Sequence, residues 1–177
     1  VSARPKVPMT PCRLLLATLV ALASAQAAAT DFGGRTPDVD ELVEALQPPE
    51  RTRGIAIVGA SSAVARPSAS MQVGFEFDSS KVMERDLPKI ERLAAALRST
   101  NLSAYRYQVI GHTDATGALA YNMRLSQQRA ASVVQLLQQM GIAPHRLHAA
   151  GRGPKELLNP QQPDAAENRR VEVRLSP

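Results

Sequence analysis

An aspartate and an arginine fifteen residues apart are the side chains of this sequence best suited to act together. Asp114 lies in a polar turn after an apolar stretch, and Arg129 lies in the helix predicted to follow that turn. A tight turn would bring both charges to the rim of one pocket. There they would either form a plain salt bridge that fixes the turn, or bind a ligand that carries a carboxylate and an ammonium group. The zwitterionic end of an amino acid is such a ligand, and the residue types and spacing leave both interpretations open.

The helix that carries Arg129 is predicted from about Ala118 to Met140, and Gly141 follows it as a left-handed C-terminal residue. Its apolar stripe comprises Leu125, Val133, Leu136, Leu137 and Met140. Arg129 and Asn122 fall on the same side of the helix as this stripe. A guanidinium cannot escape burial by losing its proton, so Arg129 must either reach the edge of the domain or meet an anion.

Strands and helices alternate around this segment. Apolar residues with a period of two predict strands at 71–77 and 105–111, and shorter strands are predicted at 146–150 and 168–175. A helix with Asp86 as its N-cap is predicted between the first two strands. The order β-α-β-α-β-β predicts an α+β fold, a two-layer sandwich in which helices cover one face of a mixed sheet.

The first 29 residues are predicted to form a Sec-type signal peptide. Basic residues precede an apolar run at 14–25, and an A-x-A pattern follows at 25–27. A transmembrane anchor is the rival interpretation, but the run has twelve residues and a span needs about 20. Cys12 precedes the run, whereas a lipid-anchor cysteine would follow it, so we expect no anchor of that kind.

Residues 30–69 are predicted to be a linker with one short helix. Apolar residues follow helical spacing at 37–46, and Pro48 and Pro49 stop that helix. A small apolar run at 54–60 is a candidate edge strand. The sequence gives this region no evident role.

The net charge of +5 does not predict a nucleic-acid partner. Three basic residues and no acidic ones lie in the predicted signal peptide, which leaves 18 basic against 16 acidic residues, a net of +2, in the remainder. His145 and His148 lack further ligands for a metal, and Ser126 lacks a histidine and an acid that would activate it. We therefore expect no cofactor, no metal and no enzymatic activity.

The run GHTDATGALAYNMRLSQQRA at residues 111–130, with ENRRVEV at 167–173, resembles the OmpA C-terminal domain family. That family includes peptidoglycan-associated lipoproteins and the periplasmic part of flagellar stator proteins. The resemblance covers roughly residues 71–175, and FEFDSS at 75–80 matches the first strand of the family. It implies an OmpA-like domain at residues 70–177 that binds the peptidoglycan stem peptide non-covalently at its diaminopimelate residue.

The resemblance also implies which residues bind. The aspartate of the T-D pair and the arginine of the L-S-x-x-R run hold the zwitterionic end of diaminopimelate in the family, and here these are Asp114 and Arg129. Second-rank contacts are implied by the start of the long helix and the end of the first strand, namely Asp78, Thr113, Asn122 and Leu125. The N-R-R match at residues 168–170 is interpreted as a structural brace.

The implied partner is peptidoglycan, and the implied location is the periplasm, in association with the outer membrane. An alternative hypothesis is a structural component of an envelope complex, such as a secretion system, a motor or an outer-membrane assembly. In that case wall binding would serve as an anchor, and residues 30–69 would contact other envelope proteins.

Overall fold

The computed structural model describes residues 29–48 and 66–177. The predicted signal peptide, apart from its last residue, and the candidate strand at 54–60 lie outside the described residues. Within the described ranges, no helix is both long enough and apolar enough to cross a membrane.

The described residues form five strands and three α-helices. The strands are β1 (Thr30–Asp31), β2 (Ser68–Met71), β3 (Tyr107–His112), β4 (Leu147–Gly153) and β5 (Val171–Leu175). The helices are α1 (Val39–Leu46), α2 (Leu87–Arg98) and α3 (Leu119–Gln139). Short 3-10 turns precede α2, β4 and β5, at Glu84–Asp86, Pro144–Arg146 and Ala166–Asn168.

The sheet is mixed, with the strand order β1-β2-β5-β3-β4. Strands β3 and β4 are parallel and are joined through α3, as a crossover connection requires. Strand β5 lies at the centre of the sheet and is antiparallel to both of its neighbours, β2 and β3. Helix α3 packs against β3 and β4, and α2 packs against α1 and α3. The predicted α+β fold is confirmed.

The core lies between the sheet and the apolar stripes of the helices. Its fully buried side chains include Leu42 and Leu46 from α1, Ile90, Leu93 and Leu97 from α2, Val133 and Leu137 from α3, and Val109 and Val173 from the sheet. The stripe predicted for α3 is only partly correct, because Leu125 is half-buried and Ser126 and Ala130 occupy the buried face instead. These small residues allow the helix to approach the sheet closely.

The segment expected to be a linker contributes to the sheet and to the core where the structure describes it. Strand β1 pairs with β2, and the neighbouring Phe32 is 5% exposed. The predicted short helix is confirmed as α1, whose first turn is capped by the Glu41 carboxylate accepting the Asp38 backbone N–H at 2.9 Å. Residues 29–48 therefore belong to the same packed unit as the sheet.

The first strand is shorter than its alternating sequence predicts. Strand β2 ends at Met71, and Phe75 beyond it forms only an isolated bridge to Val82. The chain reverses in a tight loop in which Asp78 has a left-handed φ of +48°. Phe77, which was expected to face the core, is fully exposed at this loop. The turn overrides the period-two pattern because it carries these residues away from the sheet.

Two further local predictions are corrected. Asp86 occupies the N-cap position of α2, but its side chain makes no capping bond. The carboxylate instead accepts the Gly74 backbone N–H at 3.0 Å and pairs with Lys89 at 2.7 Å. Strand β3 begins at Tyr107, so Tyr105, which is 39% exposed, precedes it.

Candidate functional site

Helix α3 lies unusually close to β3 and β4, and this fixes the position of Arg129. A Cβ atom at Gly111 would overlap the backbone carbonyl of Ser126, and one at Gly151 would lie 2.5 Å from the backbone nitrogen of Gln127. The Ser126 hydroxyl also accepts the Gly153 backbone N–H at 2.9 Å. Arg129 lies one turn after this contact, so the close packing sets where its guanidinium lies.

The turn before α3 is held by its own polar groups. The Asp114 carboxylate accepts the Thr116 backbone N–H at 3.1 Å, and the Asn122 amide donates to the Thr116 carbonyl at 2.8 Å. The Thr113 backbone N–H donates to the Gly153 carbonyl at 3.0 Å, which ties the turn to the end of β4. Asn122 and Thr113 are 4% and 2% exposed, so both build the turn from inside.

Asp114 forms its ion pair with Arg169. Its Oδ2 lies 2.7 Å from the Arg169 Nη1, and the side chain of Asp114 is 14% exposed. The plain salt bridge between Asp114 and Arg129 that the spacing allowed is not formed. Arg169 is therefore the cation that braces the turn.

Arg129 is half-buried, and in the part of the chain that the structure describes no carboxylate forms an ion pair with it. Its Nε donates a long hydrogen bond to the Ser79 carbonyl at 3.4 Å, and its guanidinium carbon lies 4.8 Å from the centre of the Phe75 ring. Burial lowers the pKa of Arg129, against the influence of Tyr121 and Asp114. This charge is partly removed from water without a strong anionic partner, which is costly unless a ligand supplies one.

A cavity of about 640 Å³ opens beside Arg129. Its lining comprises Gly34, Thr36, Gln72, Val73, Gly74, Phe75, Met83, Arg85, Asp86, Lys89, Arg129, Ala166 and Arg169. Asp114 borders this cavity through its contact with Arg169 and does not itself line it. Among the six residues expected to bind, Arg129 alone lines the cavity.

Two of the other expected contacts, Asp78 and Leu125, are not fully buried. Asp78 is exposed, and its carboxylate accepts a hydrogen bond from the Tyr121 hydroxyl, which ties the loop after Phe75 to α3. Leu125 is half-buried on the same helix. Direct contact of Asp78, Thr113, Asn122 and Leu125 with a ligand stays a prediction.

The model of the OmpA family matches residues 74–170. The chain belongs to the OmpA family. The match contains the loop after β2, the turn at Asp114 and all of α3, so the cavity described above lies largely within the family domain.

Individual OmpA-family relatives cover different shares of the chain. It is 38% identical to the outer membrane porin F of Pseudomonas fluorescens over 58% of the chain, but this spans only 32% of that porin. It is 29% identical to the peptidoglycan-associated lipoprotein of Legionella pneumophila over 88% of each protein. Among solved structures, the cell wall anchor of the T6SS from Pseudomonas aeruginosa matches with a TM-score of 0.52 and 31% identity, covering 64% of this chain and 82% of that one.

Neither the OmpA-family motif nor the sequence pattern predicts several of the residues that line the cavity. Lys89 is 5% exposed, pairs with Asp86 and donates to the Gln72 carbonyl at 2.7 Å. Its spacing of four residues before Leu93 places it on the buried stripe of α2, and this could have identified it. Gly34 and Thr36 carried no such signal, because nothing local shows that the N-terminal segment reaches the cavity.

Behind the turn, this OmpA-family domain buries a charged network centred on Glu172. The His112 Nε2 lies 3.2 Å from the Glu172 carboxylate. Burial would raise the pKa of Glu172, but the hydrogen bonds and charges of His112 and Arg174 lower it to about 2.

The same network holds the group of side chains best arranged to bind a metal among the described residues. Ligand atoms of His112, Glu156 and Glu172 lie within 4.8 Å of one another. Arg174, however, already lies 2.9 Å from the Glu172 carboxylate and 3.6 Å from that of Glu156. Arg152 also lies 3.3 Å from the Glu156 carboxylate. Because two arginines pair with these two acids, we interpret the cluster as an internal ion network.

Proposed function

We propose that this chain binds peptidoglycan non-covalently through the diaminopimelate of the stem peptide, and so anchors to the cell wall in the periplasm. The observation that carries the proposal is Arg129, a half-buried cation beside an open cavity with no ion-pair partner among the described residues. Similarity to a lipoprotein whose name states that it is peptidoglycan-associated supports the choice of polymer.

The geometry suits a zwitterionic end group. Arg129 can offer its free N–H groups to the ligand carboxylate, in the paired geometry that guanidinium groups favour. Asp114 uses one carboxylate oxygen for Arg169 and the other for the Thr116 N–H, and each oxygen keeps a second lone pair for the ligand ammonium. Each charge-assisted bond contributes about 1.5–3 kcal/mol, so one site is weak, and many sites on a polymeric wall gain avidity.

A binding role fits the chemistry of the site better than catalysis. Ser126, the hydroxyl nearest to the close helix–sheet contact, is fully buried, donates to the Met123 carbonyl and accepts the Gly153 N–H. Both bonds hold it in a structural position, and neither of its partners among the described residues is a base. We therefore propose that the protein binds peptidoglycan and does not cleave it.

The test is sedimentation of the full chain with insoluble peptidoglycan. Asp114→Ala and Arg129→Ala are each expected to abolish sedimentation, because each removes one half of the zwitterion grip. Arg106→Ala is the control, since this exposed arginine precedes β3 at the opposite end of that strand from Asp114. Circular dichroism checks that all variants fold, and undiminished sedimentation of both site variants would contradict the assignment.

The second candidate is a component of an envelope complex in which wall binding serves as the anchor. It is favoured by the 31% identity to the solved cell wall anchor of the T6SS. Deleting the N-terminal segment cannot test this role, because Leu42 and Leu46 are buried in the core. A photo-crosslinking residue at the exposed position Glu44 on α1, compared with one at exposed Lys155, separates the two candidates in cells. Crosslinks specific to Glu44 support a protein partner, and none at either position favours wall binding alone.

A further inference from the structure

The cavity beside Arg129 also contains charged side chains that take no part in the proposed binding of diaminopimelate by Asp114 and Arg129. Arg85 and Lys89 line it together with Asp86. Lys89 and Asp86 form a buried pair at 2.7 Å, whereas the Arg85 Nε lies 3.6 Å from the Asp86 carboxylate and its side chain is 75% exposed. Asp86 is thus held mainly by Lys89, and Arg85 retains most of its capacity to bind an anion.

The positive charges around the cavity exceed the negative ones. Arg85, Lys89, Arg129 and Arg169 line it, and the carboxylates in contact with them there are those of Asp86 and Asp114. Four cations against two anions leave a net charge of +2. A zwitterion is neutral overall, so its binding would leave this excess uncompensated, and a ligand with an additional carboxylate complements the cavity better.

Gly74 provides the space in which Arg85 and Asp86 meet. A Cβ atom at this position would lie 2.7 Å from the Asp86 Oδ2 and 3.4 Å from the Arg85 Nη2. The next residue, Phe75, lies under the guanidinium of Arg129. Arg85 and Arg129 thus lie beside adjacent residues of one segment, and both line the cavity, so that a single ligand lying along this segment can reach both.

The N-terminal segment forms a further wall of the cavity through Gly34 and Thr36. It is held there because the Gln72 backbone N–H donates to the Gly33 carbonyl at 2.8 Å. Arg35, between the two wall residues, pairs with Glu41 at 2.7 Å and is not part of the lining. The segment thus adds shape and one hydroxyl to the cavity without adding charge.

We propose that Arg85, Gly74 and Thr36 form a second subsite that binds another carboxylate of the same stem peptide. This inference rests on the proposed function. A stem peptide carries carboxylates besides the one at its diaminopimelate end, on its γ-linked glutamate and at its C-terminus. The volume of about 640 Å³ lies in the range of pockets that hold ligands much larger than one amino-acid end group.

The test is calorimetric titration of the full chain with two soluble stem tetrapeptides. One has all its carboxylates free, and the other is amidated at the glutamate and at the C-terminus, with the diaminopimelate end intact. The chain should bind the free peptide roughly tenfold more tightly than the amidated one, as expected for one charge-assisted contact. Arg85→Gln should remove that preference and leave the affinity for the amidated peptide unchanged.

Arg129→Gln and Arg106→Gln complete the design. Arg129→Gln should abolish binding of both peptides. Arg106→Gln should bind them as the unaltered chain does, because it removes the same charge far from the cavity. Equal affinity of the unaltered chain for both peptides, or a preference that survives Arg85→Gln, would overturn the second subsite while leaving the diaminopimelate grip intact. Failure of both peptides to bind the unaltered chain would overturn both proposals.

Discussion

The buried ion pair beside the cavity gives a quantitative expectation for stability. Lys89→Met keeps most of the side-chain volume but removes the ammonium group that lies 2.7 Å from Asp86 and 2.7 Å from the Gln72 carbonyl. The two paired side chains are 7% and 9% exposed, so Asp86 would remain as a largely desolvated charge held by the Gly74 N–H and the more distant Arg85.

The expected loss is about 3 kcal/mol in the free energy of unfolding, because removing one partner of a buried pair leaves the other uncompensated. The same helix offers a matched comparison. Arg92 pairs with Asp38 at 2.9 Å, but these side chains are 49% and 76% exposed. Arg92→Met should therefore cost less than about 1 kcal/mol, since water screens an exposed pair and solvates the partner left behind.

The loss in Lys89→Met should also depend on pH. Burial raises the pKa of Asp86, but Lys89 and the Gly74 N–H outweigh burial and hold it below its ordinary value of 3.8. A depressed carboxyl pKa contributes stability above the unfolded pKa and loses it as the pH falls. Without Lys89 the pKa of Asp86 rises, so the variant should approach the unaltered protein as the pH falls towards 4 and Asp86 becomes neutral.

The assay is urea unfolding of both variants and of the unaltered chain between pH 7 and pH 4, followed by circular dichroism. Equal losses for Lys89→Met and Arg92→Met at pH 7 would refute the argument from burial. A loss in Lys89→Met that stays constant across this pH range would show instead that packing, and not the charge of Asp86, is responsible.

Three further expectations concern the elements that hold the site. Gly111→Ala should destabilise the fold by roughly 1–3 kcal/mol in urea unfolding and weaken peptidoglycan sedimentation, because α3 must move off the sheet and take Arg129 with it. Glu172→Gln should cost about 3 kcal/mol at pH 7, and the difference should shrink as the pH falls from about 4.5 towards 2, where the native carboxylate itself becomes protonated. Asn168→Ala should cost about 1–3 kcal/mol, with faster amide exchange at Asn159, because the buried Asn168 side chain accepts that N–H at 2.9 Å.

The periodic parts of the sequence predicted the architecture. Helices α1 and α3 begin and end within about two residues of their predicted limits, and α2 begins directly after its predicted N-cap, Asp86, because apolar stripes and start and stop signals agree with each other. The pattern failed at residues 73–77, where apolar and polar residues alternate but the chain leaves the sheet. Asp78 adopts a left-handed backbone conformation at the turn, and the alternation of apolar and polar side chains does not predict that conformation.

The site was harder to predict than the fold because its partners come from distant parts of the chain. Residue types, spacing and family resemblance all pointed to Asp114 and Arg129, yet Asp114 pairs with Arg169, fifty-five residues later in the chain. The reach of Gly34 and Thr36 into the cavity depends on the pairing of β1 with β2. A two-residue strand has no periodicity to detect, so such pairing is visible only in three dimensions.

The central position of β5 has a consequence for how the chain folds. This strand separates β1 and β2 from β3 and β4, and Met71 pairs with Val171, one hundred residues later in the chain. Neither half of the sheet can bond to the other until residues 171–175 are available, and pairing over such distances is slow. The two halves of the sheet are therefore joined late in folding, and any partly folded state that lacks β5 exposes the unpaired edges of β2 and β3.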